Sequence, residues 1–166
     1  MKKIIALAAI AALSTVAQAD GFYIGGDVGK SRISDEGLKF KGTSYALFGG
    51  YNFSDNVAVE LGYRNLGKDT ITIRNVPFTL KGNALQVSAV LSAPLGSDFS
   101  VFGRLGVNRL EGKLTFPGGA EKETLTRALI GFGARYAISK EFGLRAEFQK
   151  AASDTQVFTF GADYRF

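Results

Sequence analysis

The stretch Thr43–Tyr63 reads TSYALFGGYNFSDNVAVELGY. Two alternating runs flank a polar break. In the first, Tyr45, Leu47, Gly49, Tyr51 and Phe53 fall on one face, and Ser44, Ala46, Phe48, Gly50 and Asn52 on the other. Ser54-Asp55-Asn56 then interrupts with residues that favour turns. In the second, Val57, Val59, Leu61 and Tyr63 oppose Ala58, Glu60, Gly62 and Arg64. Side chains on a strand alternate between its two faces. The stretch therefore predicts two antiparallel strands joined by a tight hairpin, each with one apolar face.

The same period recurs on both sides of it. Upstream, Phe22, Ile24, Gly26 and Val28 oppose Tyr23, Gly25, Asp27 and Gly29. Downstream, the apolar faces are Leu85–Leu91, Phe99–Val107, Ala128–Tyr136, Phe142–Phe148 and Phe158–Phe166, each taken at alternate positions. Each segment has about the 9–11 residues that a tilted strand needs to cross a bilayer. The connections alternate in length. Ser54–Asn56, Ala93–Asp98 and Ser139–Glu141 are short; Ser31–Gly42, Leu66–Lys81 and Leu110–Thr124 are long, and Ala152–Thr155 is a short exception. Within the second long link, Ile71–Ile73 and Phe78–Leu80 read as a hairpin that extends its strands.

Alternation alone also fits a soluble barrel with its apolar face inward. Two features favour the opposite orientation. The less apolar face is rich in glycine (Gly25, Gly29, Gly50, Gly62, Gly106, Gly131, Gly133, Gly143, Gly161), which suits a narrow interior. Its charges are Asp27, Glu60, Arg64, Arg104, Arg127, Arg135, Arg145, Glu147, Asp163 and Arg165, so every basic member is arginine. The lysines fall in links and strand ends. Arginine tolerates enclosure in bidentate pairs, whereas lysine favours water. The second feature is aromatic placement. Phe22, Tyr51, Phe53, Phe99, Tyr136 and Phe142, with Tyr164 and Phe166, cap the apolar face at the short-turn end; Tyr45, Tyr63, Phe148 and Phe158 cap it at the other. Aromatic girdles at both interfaces mark membrane barrels. The expected fold is all-β: an eight-stranded antiparallel up-and-down transmembrane β-barrel.

The N-terminus reads differently. Lys2 and Lys3 precede an apolar run, Ile4–Val16, and the small-residue pattern Ala17-Gln18-Ala19. This is a secretory signal peptide over residues 1–19, cleaved before Asp20. It is too short to span hydrocarbon as a helix, which takes about 20 apolar residues. Residues 20–166 are the expected barrel domain. Without Lys2 and Lys3 the 20 basic residues fall to 18 against 15 acidic ones, a net of +3. That is too mild for nucleic acid, and the basic residues form no run. Histidine and cysteine are both absent. No metal site or cofactor is expected.

The terminus Phe158-Thr159-Phe160-Gly161-Ala162-Asp163-Tyr164-Arg165-Phe166, together with the start Gly21-Phe22-Tyr23-Ile24-Gly25-Gly26, carries a resemblance. The chain resembles the small eight-stranded outer-membrane barrels of bacteria: the OmpA transmembrane domain, OmpX and the opacity-type surface proteins. The resemblance implies residence in the outer membrane as a monomer, among lipid and lipopolysaccharide. It also implies that Phe158, Phe160, Ala162, Tyr164 and Phe166 form the signal read by the barrel-assembly machinery. No peptidoglycan-binding domain is expected, so wall anchoring is not carried over.

Catalytic motifs are poor. Gly25–Ser31 faintly suggests a phosphate loop, but Ile24 stands where its first glycine belongs. The membrane acyl hydrolases pair serine with a histidine base, and this chain has no histidine. No enzyme is expected. Asp27, Glu60, Arg104, Arg145, Glu147 and Asp163 count to similar depths from their strand ends and are expected to meet as one mixed-charge cluster, flanked by Arg64, Arg135 and Arg165. With the bulky inward groups Tyr23, Phe48, Phe102 and Leu129, they are expected to plug the lumen. At the rim, Lys39, Lys41, Lys68, Lys81, Lys113 and Lys122 are candidate contacts for lipopolysaccharide phosphates. The expected function is a non-enzymatic surface barrel supporting envelope integrity or surface contact. A narrow passive pore is the alternative, and an envelope enzyme the third.

Overall fold

The computed structural model describes residues 21–35, 38–73, 76–117, 119–152 and 155–166. The signal peptide assigned to residues 1–19 lies outside them. Intact-mass measurement of membrane-extracted protein is expected to give a chain starting at Asp20; a mass retaining Met1–Ala19 overturns the assignment. The described chain forms eight strands: β1 (Phe22–Asp35), β2 (Leu38–Ser54), β3 (Val57–Ile73), β4 (Val76–Pro94), β5 (Phe99–Phe116), β6 (Gly119–Ala137), β7 (Phe142–Lys150) and β8 (Thr155–Arg165). Each pairs antiparallel with its neighbour in sequence, and β1 pairs with β8, so the sheet closes into a barrel. Closure removes the sheet edge wherever all eight strands pair; farther out, among the described residues, Gly119–Leu129 of β6 pair with β5 alone.

The alternation sorts the side chains as the period of two requires. Leu47 is 74 % exposed and Phe132 66 %, while Phe48 and Leu129 on the opposite face are 7 % and 0 % exposed. Large apolar groups therefore cover the outside of the barrel, and Tyr23, Phe48, Ala58, Val90 and Phe102 cluster inside it. A surface of this kind is inverted for water and right for hydrocarbon. At the short-turn end the outward aromatics pack in contact: Phe22 on Tyr51 at 4.7 Å between ring centroids, Tyr51 on Phe53 at 5.0 Å, Phe142 on Tyr164 at 5.3 Å and Tyr164 on Phe166 at 5.1 Å. Phe99 and Tyr136 face each other across the β5–β6 ladder. At the same end the Ser139 hydroxyl accepts from the amides of Glu141 and Phe142 and donates to the Glu141 carboxylate at 2.9 Å, which holds that carboxyl below the usual carboxylate range.

The strands run further than a bilayer requires. Ser31–Gly42, Leu66–Lys81 and Leu110–Thr124, expected as loops, are mostly outward continuations of β1 to β6. Above the hydrocarbon both faces meet water. The apolar–polar alternation that marks a strand in sequence fades there, while the backbone ladder continues. Threonines assist it: the hydroxyls of Thr70 and Thr79 hydrogen-bond at 3.0 Å across β3–β4. The wall is consequently tall over β3–β6 and low over β7 and β8. One bulge interrupts β3, where Leu66 is inserted between the pairs Asn65–Asn83 and Gly67–Gly82. Gly67 takes φ +93°, a backbone conformation that side chains disfavour, and Leu66 turns into the barrel.

Candidate functional site: the lumen and the outer rim

Inward residues of β1, β3, β5 and β7 meet across the barrel axis. Glu60 of β3, Arg104 of β5 and Arg145 and Glu147 of β7 form a ring in which each charge touches two of opposite sign. Arg104 pairs with Glu60, and its Nε lies 2.7 Å from Glu147 Oε1. Arg145 reaches Glu60 Oε2 and Glu147 Oε2, both at 3.0 Å. Arg145 and Glu147 share the inward face because they are two apart on one strand. Neutral donors complete the shell. Tyr23 Oη donates to Glu60 at 3.0 Å, Gln149 Nε2 donates to Glu147 at 2.9 Å, and Arg104 donates to Ser88 Oγ at 3.1 Å. The Arg145 guanidinium lies between the rings of Phe48 and Phe102, 4.6 and 4.7 Å from their centroids. All four charged groups are buried, Glu60 to 1 % exposure. Enclosed charges are tolerated when paired and hydrogen-bonded in this way.

Two further pairs lie apart from the ring. Toward the long-hairpin end, Arg64 makes a bidentate pair with Asp27, both bonds 2.8 Å, and also donates to Ser44. Toward the short-turn end, Arg135 Nε donates to the Asp163 carboxylate at 2.8 Å, and the half-exposed Arg165 approaches it at 3.9 Å. The Arg135 guanidinium occupies the space a Cβ would take at Gly143, so a side chain there would have to displace the guanidinium. The six charges expected as one cluster, with their three flanking arginines, thus form three groups along the axis. The stagger of neighbouring strands in a closed barrel explains the difference: residues counted to equal depth on their own strands sit at different heights. Arg127, also counted inward, is exposed and lines the outer mouth.

Space in the lumen is uneven. Around Tyr23, Glu60, Arg135, Arg145 and Asp163 the cavity is about 30 Å³, room for about one water. Above the ion ring, Leu129 and Val157 are fully buried and the Asn108 amide donates to the Ala151 carbonyl at 2.6 Å. Beyond them the barrel opens into a vestibule of about 560 Å³ lined by Leu66, Leu80, Leu110, Leu125 and Arg127.

The rim lysines are not scattered. Lys68 pairs with Lys81 across β3–β4, Lys81 with Lys113 across β4–β5, and Lys113 with Lys122 across β5–β6. Four like charges stand side by side on the outside of the tall wall, and all four are exposed. Directly opposed like charges on a sheet are destabilising. Lys122 lies 4.0 Å from the exposed Glu111, a contact of little worth in water. Lys41 is exposed on β2 and opposite Arg32; Lys39 lies on the same strand opposite Ser34. The row was hidden in the sequence by its numbering, although 68 and 81 are equidistant from the β3–β4 turn, as 113 and 122 are from the β5–β6 turn.

A closed eight-stranded barrel with an apolar outer wall, aromatic girdles and an ion-paired lumen defines a small integral protein of the bacterial outer membrane. The family model for the outer membrane protein beta-barrel domain matches residues 4–166, and the chain belongs to that family. Outer membrane protein A of Shigella flexneri is 31 % identical over 193 residues, an alignment that covers 99 % of this chain and 56 % of the relative. The chain thus spans about half the length of the curated relatives it matches. Among solved structures, Neisserial surface protein A is similar with a TM-score of 0.72 at 17 % identity, covering 89 % of this chain and 98 % of that one. Ail of Yersinia pestis is similar with a TM-score of 0.66 at 20 % identity, covering 89 % and 99 %. The site of action is the outer membrane, and the short-turn end is the periplasmic one.

Proposed function

We propose that this barrel is a non-enzymatic surface protein that supports envelope integrity or surface contact through its outer rim, with its lumen closed. The ion ring carries the proposal. Four charged side chains from three strands cross the axis and bond to one another, and the space beside them admits about one water. Planar-bilayer recording of the refolded protein tests it. Wild type is expected to show little steady conductance, and Glu147→Ala to admit ions. Steady conductance in wild type would favour the narrow passive pore instead.

The rim row of Lys68, Lys81, Lys113 and Lys122 is read as a contact for lipopolysaccharide phosphates, which would relieve its like-charge repulsion. Ail, a structural relative, is described in complex with a heparin analogue, sucrose octasulfate, so a barrel of this fold can hold a polyanion. A catalytic role lacks support: the chain has no histidine, and the buried lumenal carboxylates Asp27, Glu60, Glu147 and Asp163 are each engaged by arginine. Unchanged lipid A mass spectra after deletion of the gene are the expected result. Over the membrane-spanning registers the sheet is closed and offers a second copy no edge, which supports a monomer.

Phe166 closes the alternating apolar face, its ring against Tyr164 and its amide donating to the Phe22 carbonyl at 3.1 Å. We read Phe158, Phe160, Ala162, Tyr164 and Phe166 as the segment recognised by the assembly machinery. Deleting Phe166 is expected to cut the amount inserted in cells several-fold while refolding into detergent survives. Equal insertion of the shortened chain refutes the role.

A further inference from the structure

β6 outruns its neighbour. Its inner half pairs with β7, from Ile130 opposite Lys150 to Ala137 opposite Gly143. Among the described residues, the outer half pairs with β5 alone, and its other edge carries no partner strand. That edge stands above the membrane, because Phe132, packed against Phe148 at 5.5 Å, already lies at the outer aromatic girdle. An exposed edge is a template for another strand, and proteins usually blunt it with proline, a bulge or a run of charge. Gly119–Leu129 contain no proline, their ladder to β5 runs without a register shift, and their charges are of both signs.

The charges are placed for one particular partner. Glu121, Glu123, Leu125 and Arg127 lie on one face of the stretch, and Lys122, Thr124, Thr126 and Ala128 on the other. Consider a second copy laid antiparallel with its Leu125 opposite Leu125. Glu123 then faces Arg127 twice, Thr124 faces Thr126 twice, and Lys122 faces Ala128. Opposite charges and threonine pairs stabilise a sheet, and no like charges meet. A slip of two residues either way sets Leu125 against a charge, Glu123 or Arg127. Both charges are available. Among the described residues no cation meets Glu123 and no carboxylate meets Arg127, whose guanidinium donates to the Thr126 carbonyl at 3.2 Å. The length fits as well: in this register residues 121–129 pair with 129–121, wholly within the uncovered 119–129, so neither copy displaces β7.

Direction decides where the second copy stands. Two copies in one membrane run β6 in the same sense and cannot form an antiparallel ladder. An antiparallel pair is related by a twofold axis normal to the wall, which inverts the barrel axis. The second copy is therefore anchored in a facing membrane. We propose that the outer edge of β6 is a homophilic contact, through which barrels in two apposed outer membranes join by an antiparallel β6–β6 ladder centred on Leu125. Main-chain hydrogen bonds supply the attraction, and the two Glu123–Arg127 pairs fix the register. This deepens the surface-contact reading by naming its partner, and rests on that reading only in taking the outer rim as the working surface.

The test places the whole mature protein in phosphatidylcholine nanodiscs, one barrel per disc, and follows pairing of the discs by sedimentation. Wild-type discs are expected to pair two by two. Arg127→Glu and Glu123→Arg are each expected to weaken pairing roughly tenfold or more, since two attractive contacts become two repulsive ones. Discs of the one variant mixed with discs of the other are expected to pair again, because both Glu–Arg contacts are then restored. The chain has no cysteine, so Leu125→Cys reports the register. A short bismaleimide is expected to join two copies of that variant, and not two copies of Thr115→Cys on β5. A heat-modified gel shift reports that each variant is folded. Wild-type discs that stay single overturn the proposal, as do single variants that pair with wild-type affinity or a mixture that pairs no better than either variant alone. Ion conductance of wild type bears on the closed lumen and leaves this test unaffected, so the two fail separately.

Discussion

Replacing Glu60 with alanine is expected to destabilise the folded barrel by about 3–5 kcal/mol, the range for breaking a buried ion pair from one side. Glu60 is the residue on which the ring depends most: Arg104, Arg145 and the Tyr23 hydroxyl all converge on it. Without it two buried guanidinium groups share Glu147 alone. Urea titration of the protein refolded into lipid vesicles, followed by gel shift, measures the loss. Glu111→Ala is the matched control, since Glu111 is exposed and faces Lys122 at 4.0 Å; a change within about 0.5 kcal/mol is expected there, as for surface positions generally. Equal effects of the two substitutions would show that the ring contributes no more than a surface contact.

Leu105→Arg is expected to cost about 2–4 kcal/mol, the penalty for a cation at the bilayer midplane on a barrel's outer face. Leu105 is 63 % exposed and sits midway along the apolar outward stretch of β5, between Phe99 at the periplasmic girdle and Arg109, the first outward charge on the strand. One position earlier, Arg104 faces the lumen and is tolerated because Glu60 and Glu147 receive it. The same residue type is thus stable at 104 and costly at 105, with only the face changed. The measurement is again urea unfolding in vesicles. A neutral outcome for Leu105→Arg would mean that this face does not lie in hydrocarbon.

Most of the barrel wall is legible in the amino-acid sequence. Tyr45 to Phe53 and Val57 to Tyr63 announced two strands, their turn and their outward faces, because a one-residue slip would exchange lipid-facing and lumen-facing side chains. Segregation of arginine onto the glycine-rich face marked the interior for the same reason. The outer thirds of β3 to β6 were less legible. Thr70, Thr79 and Thr115 stand where both faces meet water, so hydrophobicity carries no period there. The bulge at Leu66 was silent too, although it decides which way Leu66 points and how Lys68 comes opposite Lys81.

What the amino-acid sequence determined by itself was the class: eight alternating strands, an apolar exterior, aromatic belts and a lumen that holds arginine with carboxylates. These follow from local rules of period and residue chemistry, which a linear chain displays directly. What only the tertiary structure decided was partnership. Asp27 joins Arg64 and Asp163 joins Arg135, not the central ring; four lysines separated by up to 54 positions in the chain stand in one row. Each depends on strand stagger and on the joining of the first strand to the last. Those are properties of the closed sheet, set by the register of all eight pairings together, and no single segment carries them.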